Sequence, residues 1–419
     1  MCNKLKLGMI GAGFVANFHA RALKQVRNVD LAGVMSVSPE LSEKLSRASQ
    51  SYGTGTCKVY NTIADLAENV DAIAIFAPNF ARVEIMEAIV DAVKKGANLK
   101  GIICEKPLGR NMKEARRLVE LAREVNLKTA YFENQIFMKP MQAQLSQLQP
   151  QVKTMGPLVL TRSAEEHGGP HEGWFWDPTR QGGGVLSDMG CHSIAVGWYA
   201  LTPVDKSPRF LEPVSISAET ALLKWGLPEW RKKLKENMGV DYTKTPAEDF
   251  TTGIVTFKNP ETGQIVKAQF TDSWMFEKQG LRLFMDGMGP GYAFEINTLV
   301  SSLQIFIGDI AAEATANAEL ALEKSTASRG LLAVQHNEAD LYGYTDENED
   351  AANAFLAGKD GLLDWEYGLE ITKMIMAGYM SAERGKVIDL TDPKILQELE
   401  TFIPLIQQGK GTEVLHVVK

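Results

Sequence analysis

Apolar residues along the first third of the chain fall into short runs that alternate with stretches of helical spacing. Leu5–Ile10 is one run, a glycine turn follows, and Phe14–Val26 then carries apolar residues at helical intervals. Leu31–Met35 is the next run, and Pro39–Ala48 reads as a helix opened by Ser38. Ala72–Phe76, a helix over Arg82–Lys94, Gly101–Cys104, a helix over Met112–Val125 and Thr129–Phe132 continue the alternation. Strands separated by helices of this length imply right-handed crossovers, so the pattern predicts an α/β domain with a doubly wound parallel sheet.

Near Asn134–Pro157 the pattern changes. A Gln-rich helix over Met141–Leu148 precedes Pro150, and Gly156-Pro157 marks a turn. The runs Leu158–Ser163, Val214–Leu222, Gly253–Phe257, Val266–Ser273 and Leu281–Met285 read as strands separated mostly by turns. That predicts an α+β second domain on a largely antiparallel sheet, with helical periodicity returning over Asp346–Leu356 and Asp364–Glu383. The division falls at 134/135, giving domains 1–134 and 135–419. One basic-aromatic segment, Trp225–Tyr242, reads as a solvated helix face, against a lid or subunit contact as its alternative.

Composition narrows the class. The chain has 419 residues, 45% hydrophobic and 23% charged, which is ordinary globular composition and argues against disorder. A net charge of −8 offers no overall footprint for nucleic acid and leaves only a local basic patch open. No apolar run approaches the ~20 residues of a membrane span. Cys2, Cys57, Cys104 and Cys191 have no ligand spacing, and the first residues show no leader pattern. The expectation is a soluble cytoplasmic protein.

Gly11-Ala12-Gly13-Phe14-Val15-Ala16 follows a strand and opens a helix. In that context Gly11 makes the tight turn, Gly13 lets the backbone approach a pyrophosphate, and Ala16 permits close helix–strand packing. The helix N-terminus supplies N–H donors to the anion. At the end of the second strand stands Ser36, where an acidic residue would bind a ribose 2′-hydroxyl. Serine does not repel a 2′-phosphate, and no arginine follows to hold one, so NAD or NADP stays open; Asp30 reads as a turn residue before the strand.

Glu105-Lys106-Pro107 ends a parallel strand, where open α/β sheets place ligands; the alternative is a surface ion pair before a proline turn. In Gly182-Gly183-Gly184-Val185-Leu186-Ser187-Asp188-Met189-Gly190-Cys191-His192, three glycines allow close backbone approach to a ligand. Asp188 and His192 lie four apart on one helix face and can hold and deprotonate a hydroxyl, against a helix-starting Asp and a core His. The loop Glu165–Pro178 carries His167, His171, Trp174 and Trp176, with Arg180 after it. Such tryptophans either stack on sugar rings or pack under the sheet. Gly168-Gly169-Pro170 forbids a helix between His167 and His171, so no metal site is expected. His19 reads as packed or near the pyrophosphate.

Together these segments resemble the glucose–fructose oxidoreductase / inositol dehydrogenase family (Gfo/Idh/MocA). The resemblance covers the GxGxxA turn, Ala77-Pro78-Asn79, Glu105-Lys106-Pro107, Glu133-Asn134-Gln135-x-Phe137, the D-x-x-x-H run and Gly361–Leu390. It implies an N-terminal Rossmann domain and a C-terminal domain whose large, mostly antiparallel open sheet serves homo-oligomerisation. By that resemblance Lys106, Asp188 and His192 form the catalytic triad. His192 takes the hydroxyl proton, Lys106 hydrogen-bonds the same oxygen and Asp188 orients the substrate. The implied cofactor residues are Gly11, Gly13, Phe14, Val15, Ser36, Pro78, Asn79, Glu105, Lys106 and Asn134. The loop is expected to lead into a carbohydrate pocket, with His167, Trp174, Trp176, Arg180, Asp188 and His192 on the substrate. Two positions depart from the family pattern: Arg82 replaces a common histidine, and Ile136 a basic residue. The expected function is an NAD(P)-dependent sugar, glycoside or cyclitol dehydrogenase. The alternatives are a glycosidase that retains NAD and a non-catalytic cofactor-binding regulator.

Overall fold

Six parallel strands build the first sheet of the computed structural model, which describes residues 4–277, 280–300, 303–307, 320–322, 325–327, 330–334 and 337–418. They are β1 (Leu5–Ile10), β2 (Val29–Met35), β3 (Lys58–Val59), β4 (Ala72–Ile75), β5 (Gly101–Glu105) and β6 (Lys128–Phe132), in the order β3-β2-β1-β4-β5-β6. The doubly wound parallel sheet read from the sequence is what the chain forms. Ala72–Ile75 and Gly101–Glu105 are buried throughout, as strands covered on both faces must be. Local chemistry starts the helices. Ser38 Oγ accepts from Leu41 N at the head of Pro39–Tyr52, and Asn111 caps Met112–Glu124 through Glu114 N. The short β3 and the helix Ile63–Ala67 were not read, because two and five residues carry too little periodicity.

The chain divides into two units. One comprises Met1–Lys139 and Ala339–Thr372, the other Pro140–Glu338 and Lys373–Lys419. The chain passes between them at 139/140, 338/339 and 372/373, where the sequence reading placed a single cut at 134/135. The helix Tyr344–Leu356 belongs to the first unit for a packing reason. The Phe355 ring occupies the space over Gly101, where a Cβ would lie 2.6 Å from the ring. Ala351 and Ala352 join the same core as Leu7, Met9 and Ile103. Farther on, Gly361 N donates to Thr129 O and Tyr131 N to Leu363 O, so the returning segment covers the edge strand β6.

The second unit holds β7 (Leu160–Glu166), β8 (Glu212–Ala221), β9 (Phe250–Lys258), β10 (Ile265–Ser273), β11 (Arg282–Gly289) and β12 (Tyr292–Asn297). Two short antiparallel pairs follow, β13 (Leu303–Ile307) with β16 (Gly330–Val334) and β14 (Leu320–Leu322) with β15 (Ser325–Ala327). The last strand is β17 (Ile388–Asp389). The large sheet runs β12-β11-β7-β10-β9-β8-β17, antiparallel except for the β7–β10 pair. The helix Cys191–Leu201 is seated on this sheet. Gly197 approaches Ala268 and Thr161, and Trp198 stacks on Phe257 at 5.7 Å. No described helix is long and apolar enough to cross a membrane.

Candidate active site

In the first unit the functional segments lie at the C-terminal ends of the strands. Gly11 has φ +105, and a Cβ there would sit 2.7 Å from the Phe76 carbonyl, so the turn demands glycine. Gly13 differs, because a Cβ there would meet nothing within 4 Å. It is the N-cap of Phe14–Ala22, a helix with no side-chain cap and no acid in its first turn. The chain's own packing leaves Gly13 exposed at a helix N-terminus, a cradle whose N–H groups and dipole suit a pyrophosphate. Phe14 and Val15 are half-buried beside it, and Ala16 is buried against the sheet. A dinucleotide fits these residues.

Ser36 follows β2 directly, and its Oγ accepts from Ser38 N at 3.2 Å. Asp30 is not a turn residue: it lies within β2, opposite Lys6 of β1, near the strand's N-terminal end and away from the ligand side. Asn79 is buried at the head of a short 3-10 turn, with Pro78 half-buried before it. Asn134 donates from Nδ2 to Tyr342 O at 2.7 Å, so its amide nitrogen ties the returning segment to the first unit.

The Glu105-Lys106-Pro107 segment is no surface ion pair. Glu105 is buried, its Oε2 accepts from Lys106 N at 3.1 Å, and its Oε1 lies 2.9 Å from His19 Nε2. Asn348 Nδ2 bonds Tyr344 O at 2.7 Å and lies 2.8 Å from His19 Nδ1. That amide nitrogen can only donate, so Nδ1 accepts and the His19 proton belongs on Nε2, facing Glu105. The imidazole is stacked between Phe76 and Phe132, at 4.3 and 5.1 Å. Burial pushes the Glu105 carboxyl up, but His19, Lys106 and Arg82 outweigh it and hold the group below its ordinary value. Arg82 is the residue whose role sequence reasoning missed. Its buried guanidinium donates to the carbonyls of Ala77, Glu105, Lys106 and Pro107. Lys106 is thus held at its N–H by Glu105 and at its carbonyl by Arg82.

In the second unit, Asp188 and His192 are both buried. They do not share a regular α-helix: Leu186–Gly190 forms a π turn that runs into Cys191–Leu201. Such turns are frequent at functional sites, and the wider winding resets where each side chain points. His192 Nε2 lies 3.9 Å from Glu165 Oε2 on β7. Glu165 is held in turn, its backbone N–H bonding Asp272 Oδ1, which also accepts from Ser193 Oγ. The glycine run is explained by the protein itself. A Cβ on Gly183 would lie 2.0 Å from the Tyr379 hydroxyl, and one on Gly184 would lie 2.2 Å from Glu248 O. Close approach to a ligand, expected from the sequence, is not what these two positions require.

The loop residues divide. Trp176 is a core residue, buried against Trp225, Trp274 and Tyr242, with Nε1 donating to Pro170 O. It offers no open face for sugar stacking. The basic-aromatic segment supplies part of this cluster, with Lys224 Nζ over Trp225 and Trp230 at 4.6 and 4.0 Å. His167 is buried and its Nδ1 accepts from Gly169 N at 2.9 Å. Trp174 is half-buried and stacked on Phe175, and Arg180 is exposed.

Comparison with known proteins bears on this arrangement. A family model described as "Oxidoreductase family, NAD-binding Rossmann fold" matches residues 5–132, and the "GFO/IDH/MocA C-terminal domain" matches 151–287. The rhizopine catabolism protein MocA of Rhizobium meliloti is 29% identical over 197 residues, 46% of this chain and 55% of that protein. The D-glucoside 3-dehydrogenase of Escherichia coli is 29% identical over 201 residues, 47% of this chain and 54% of that protein. The chain thus spans about half the length of the curated relatives it matches. Among solved structures, GenD2 from gentamicin A biosynthesis in complex with NAD shares the fold. Its TM-score is 0.71 at 20% identity, with 94% of this chain and 98% of that chain covered.

Proposed function

From the premise that the chain belongs to the GFO/IDH/MocA oxidoreductase family, we propose that it oxidises a secondary hydroxyl of a sugar, glycoside or cyclitol with NAD or NADP. The observation that carries this reading is the buried His192 imidazole beside the Glu165 carboxylate, in the first turn of the helix that continues the π turn holding Asp188. An imidazole that takes up a proton there does so next to a negative charge. The Gly11–Ala16 turn would hold the dinucleotide, whose nicotinamide would supply the acceptor for the hydride of the CH–OH carbon.

The rest of the chemistry belongs to the protein. His192 takes the hydroxyl proton, Lys106 donates a hydrogen bond to the same oxygen, and Asp188 accepts one from the substrate and orients it. The Gly11–Ala16 turn binds the pyrophosphate. Ser36 brings no charge against a 2′-phosphate, which admits NADP, while the NAD complex of GenD2 favours NAD. Trp174 and Arg180 are the loop residues proposed for substrate contact. The name of the glucoside dehydrogenase supports the carbohydrate class. A homo-oligomer through the second unit's sheet is part of the same reading, since Ile254 and Ile265 stand 41% and 49% exposed on it.

Nicotinamide absorbance during incubation with either dinucleotide and a panel of pyranosides, cyclitols and sugar acids tests the proposal. Reduced cofactor accumulates with one substrate class, and Lys106→Ala or His192→Ala lowers turnover by about 100-fold or more while dinucleotide still binds. Near-parental rates in both variants reject the assignment. A flat trace with cleavage of a glycoside turns it toward the glycosidase.

A further inference from the structure

We infer that Glu248 and Tyr379 are positioning residues for Asp188 and His192, acting together as a two-residue cap on the turn that carries Asp188 and runs into the helix of His192. Its catalytic consequence rests on the dehydrogenase reading; the cap itself does not.

The argument begins with the backbone. The helical segment that starts at Val185 leaves the N–H groups of its first turn without intrahelical acceptors, as every helix start does. Here the first residues are glycines and Val185, which bring no side-chain acceptor of their own. Two distant residues meet the whole need. Gly184 N donates to Glu248 Oε1 at 3.0 Å and to the Tyr379 hydroxyl at 3.1 Å. Val185 N donates to Glu248 O at 3.1 Å, Leu186 N to Glu248 Oε1 at 3.0 Å, and Ser187 N to the Tyr379 hydroxyl at 3.2 Å. The Tyr379 hydroxyl donates onward to Glu248 Oε1 at 2.6 Å. Four consecutive amides are therefore pinned by one carboxylate, one carbonyl and one phenol, and the next residue is Asp188.

Gly183 and Gly184 are the price of this fit, because any side chain there would displace Tyr379 or Glu248. The cap also sets winding. A first turn held by acceptors fixed in space has its register decided from outside, and the π turn Leu186–Gly190 begins inside the capped stretch. Asp188 and His192 point where that register puts them.

Glu248 is fully buried, and its Oε2 has no hydrogen-bond partner among the described residues. The titratable groups facing it are Tyr379 from the helix Trp365–Arg384 and Tyr242, on both of which its charge acts, and Asp249 follows it in the chain. No ion pair to it is found among the described residues. Burial pushes its carboxyl up to about 7, against the lowering effect of Tyr379 and the backbone amides. The cap therefore gains or loses a charge near neutral pH at the positive end of the helix it holds.

Amide exchange of the segment 182–192, read well below and well above pH 7 in the full chain, tests this together with steady-state kinetics. In the parent, protection corrected for intrinsic exchange differs across pH 7, and Glu248→Gln, which keeps the shape but not the charge, removes the difference. Tyr379→Phe lowers protection at every pH and lowers kcat about tenfold, while KM for the dinucleotide stays within about twofold. Glu248→Gln also flattens the ionisation near 7 in the kcat profile. Parental protection and parental kcat in both variants overturn the inference, as does a parent whose protection is the same on both sides of pH 7. A parent that oxidises nothing in the sugar panel rejects the dehydrogenase reading, and the exchange data alone then decide the cap.

Discussion

Two buried glutamates, one in each unit, hold functional segments by the same device and sit in opposite electrostatic surroundings. Glu105 accepts the Lys106 amide and is paired with the His19 ring. Glu248 accepts the Gly184 and Leu186 amides and is paired with the Tyr379 ring. Glu105 has the His19 hydrogen bond first, with Lys106 and Arg82 close by, and is held below the ordinary carboxyl value, whereas burial lifts Glu248, beside the Tyr379 phenol and backbone amides, to about 7. Burial penalises both anions. What separates them is whether the imidazole and cations that favour the anion share the site, which decides whether the anchor keeps its charge at neutral pH.

Removing the cation should break the contrast with the largest effect. Arg82→Met leaves four carbonyls without their donor and takes one of the two cations, Lys106 being the other, from beside Glu105. The expected loss is about 3–5 kcal/mol in urea unfolding. A loss under about 1 kcal/mol would show that Arg82 is not what holds the Lys106 backbone.

The pH dependence of stability sharpens the contrast. Glu248 rises from 4.5 to about 7 in the fold, so between those values the folded protein holds a proton that the unfolded chain has lost. Stability therefore falls as pH rises through that window, by on the order of 3 kcal/mol, and is fully present below pH 4.5. Glu105 works with the reverse sign: its contribution is present above 4.5 and is lost as pH falls through its lowered folded value. Unfolding titrations of Glu248→Gln should lose the slope between 4.5 and 7 and keep the acid-side loss. An unchanged slope would place the near-neutral titration elsewhere.

The smallest stability effect belongs to glycine. Gly13→Ala meets open space, so folding stability should stay within about 0.5 kcal/mol while dinucleotide affinity drops about tenfold or more, read by calorimetry. Unchanged affinity would mean that no backbone–ligand approach occurs at Gly13.

Much of this was legible along the chain because it is local. The turn Gly11–Ala16 announces itself by glycine spacing between a strand and a helix, and Ser38 and Asn111 mark helix starts by residue type. Other features were misread for a common reason. Gly183 and Gly184 are glycines for Tyr379 and Glu248, residues 196 and 64 positions away, and nothing near them says so. Trp176 is indistinguishable in sequence from a sugar platform until Trp225, Trp274 and Tyr242 close around it. Arg82 showed only as a departure from the family pattern. Its four acceptors come from two different strand ends.

By itself the sequence determined what periodicity, capping and motif chemistry encode: a parallel doubly wound unit, a second mostly antiparallel sheet, and a glycine turn of the NAD-binding Rossmann type. These follow from interactions within a few residues or from patterns that repeat. Only the tertiary structure decided that the helix Tyr344–Leu356 completes the first unit, that the Asp188 turn is π-wound, and that two buried glutamates anchor the functional segments with different charge behaviour. Those outcomes depend on which distant groups share a buried volume. Burial and Coulomb interaction act across space rather than along the chain.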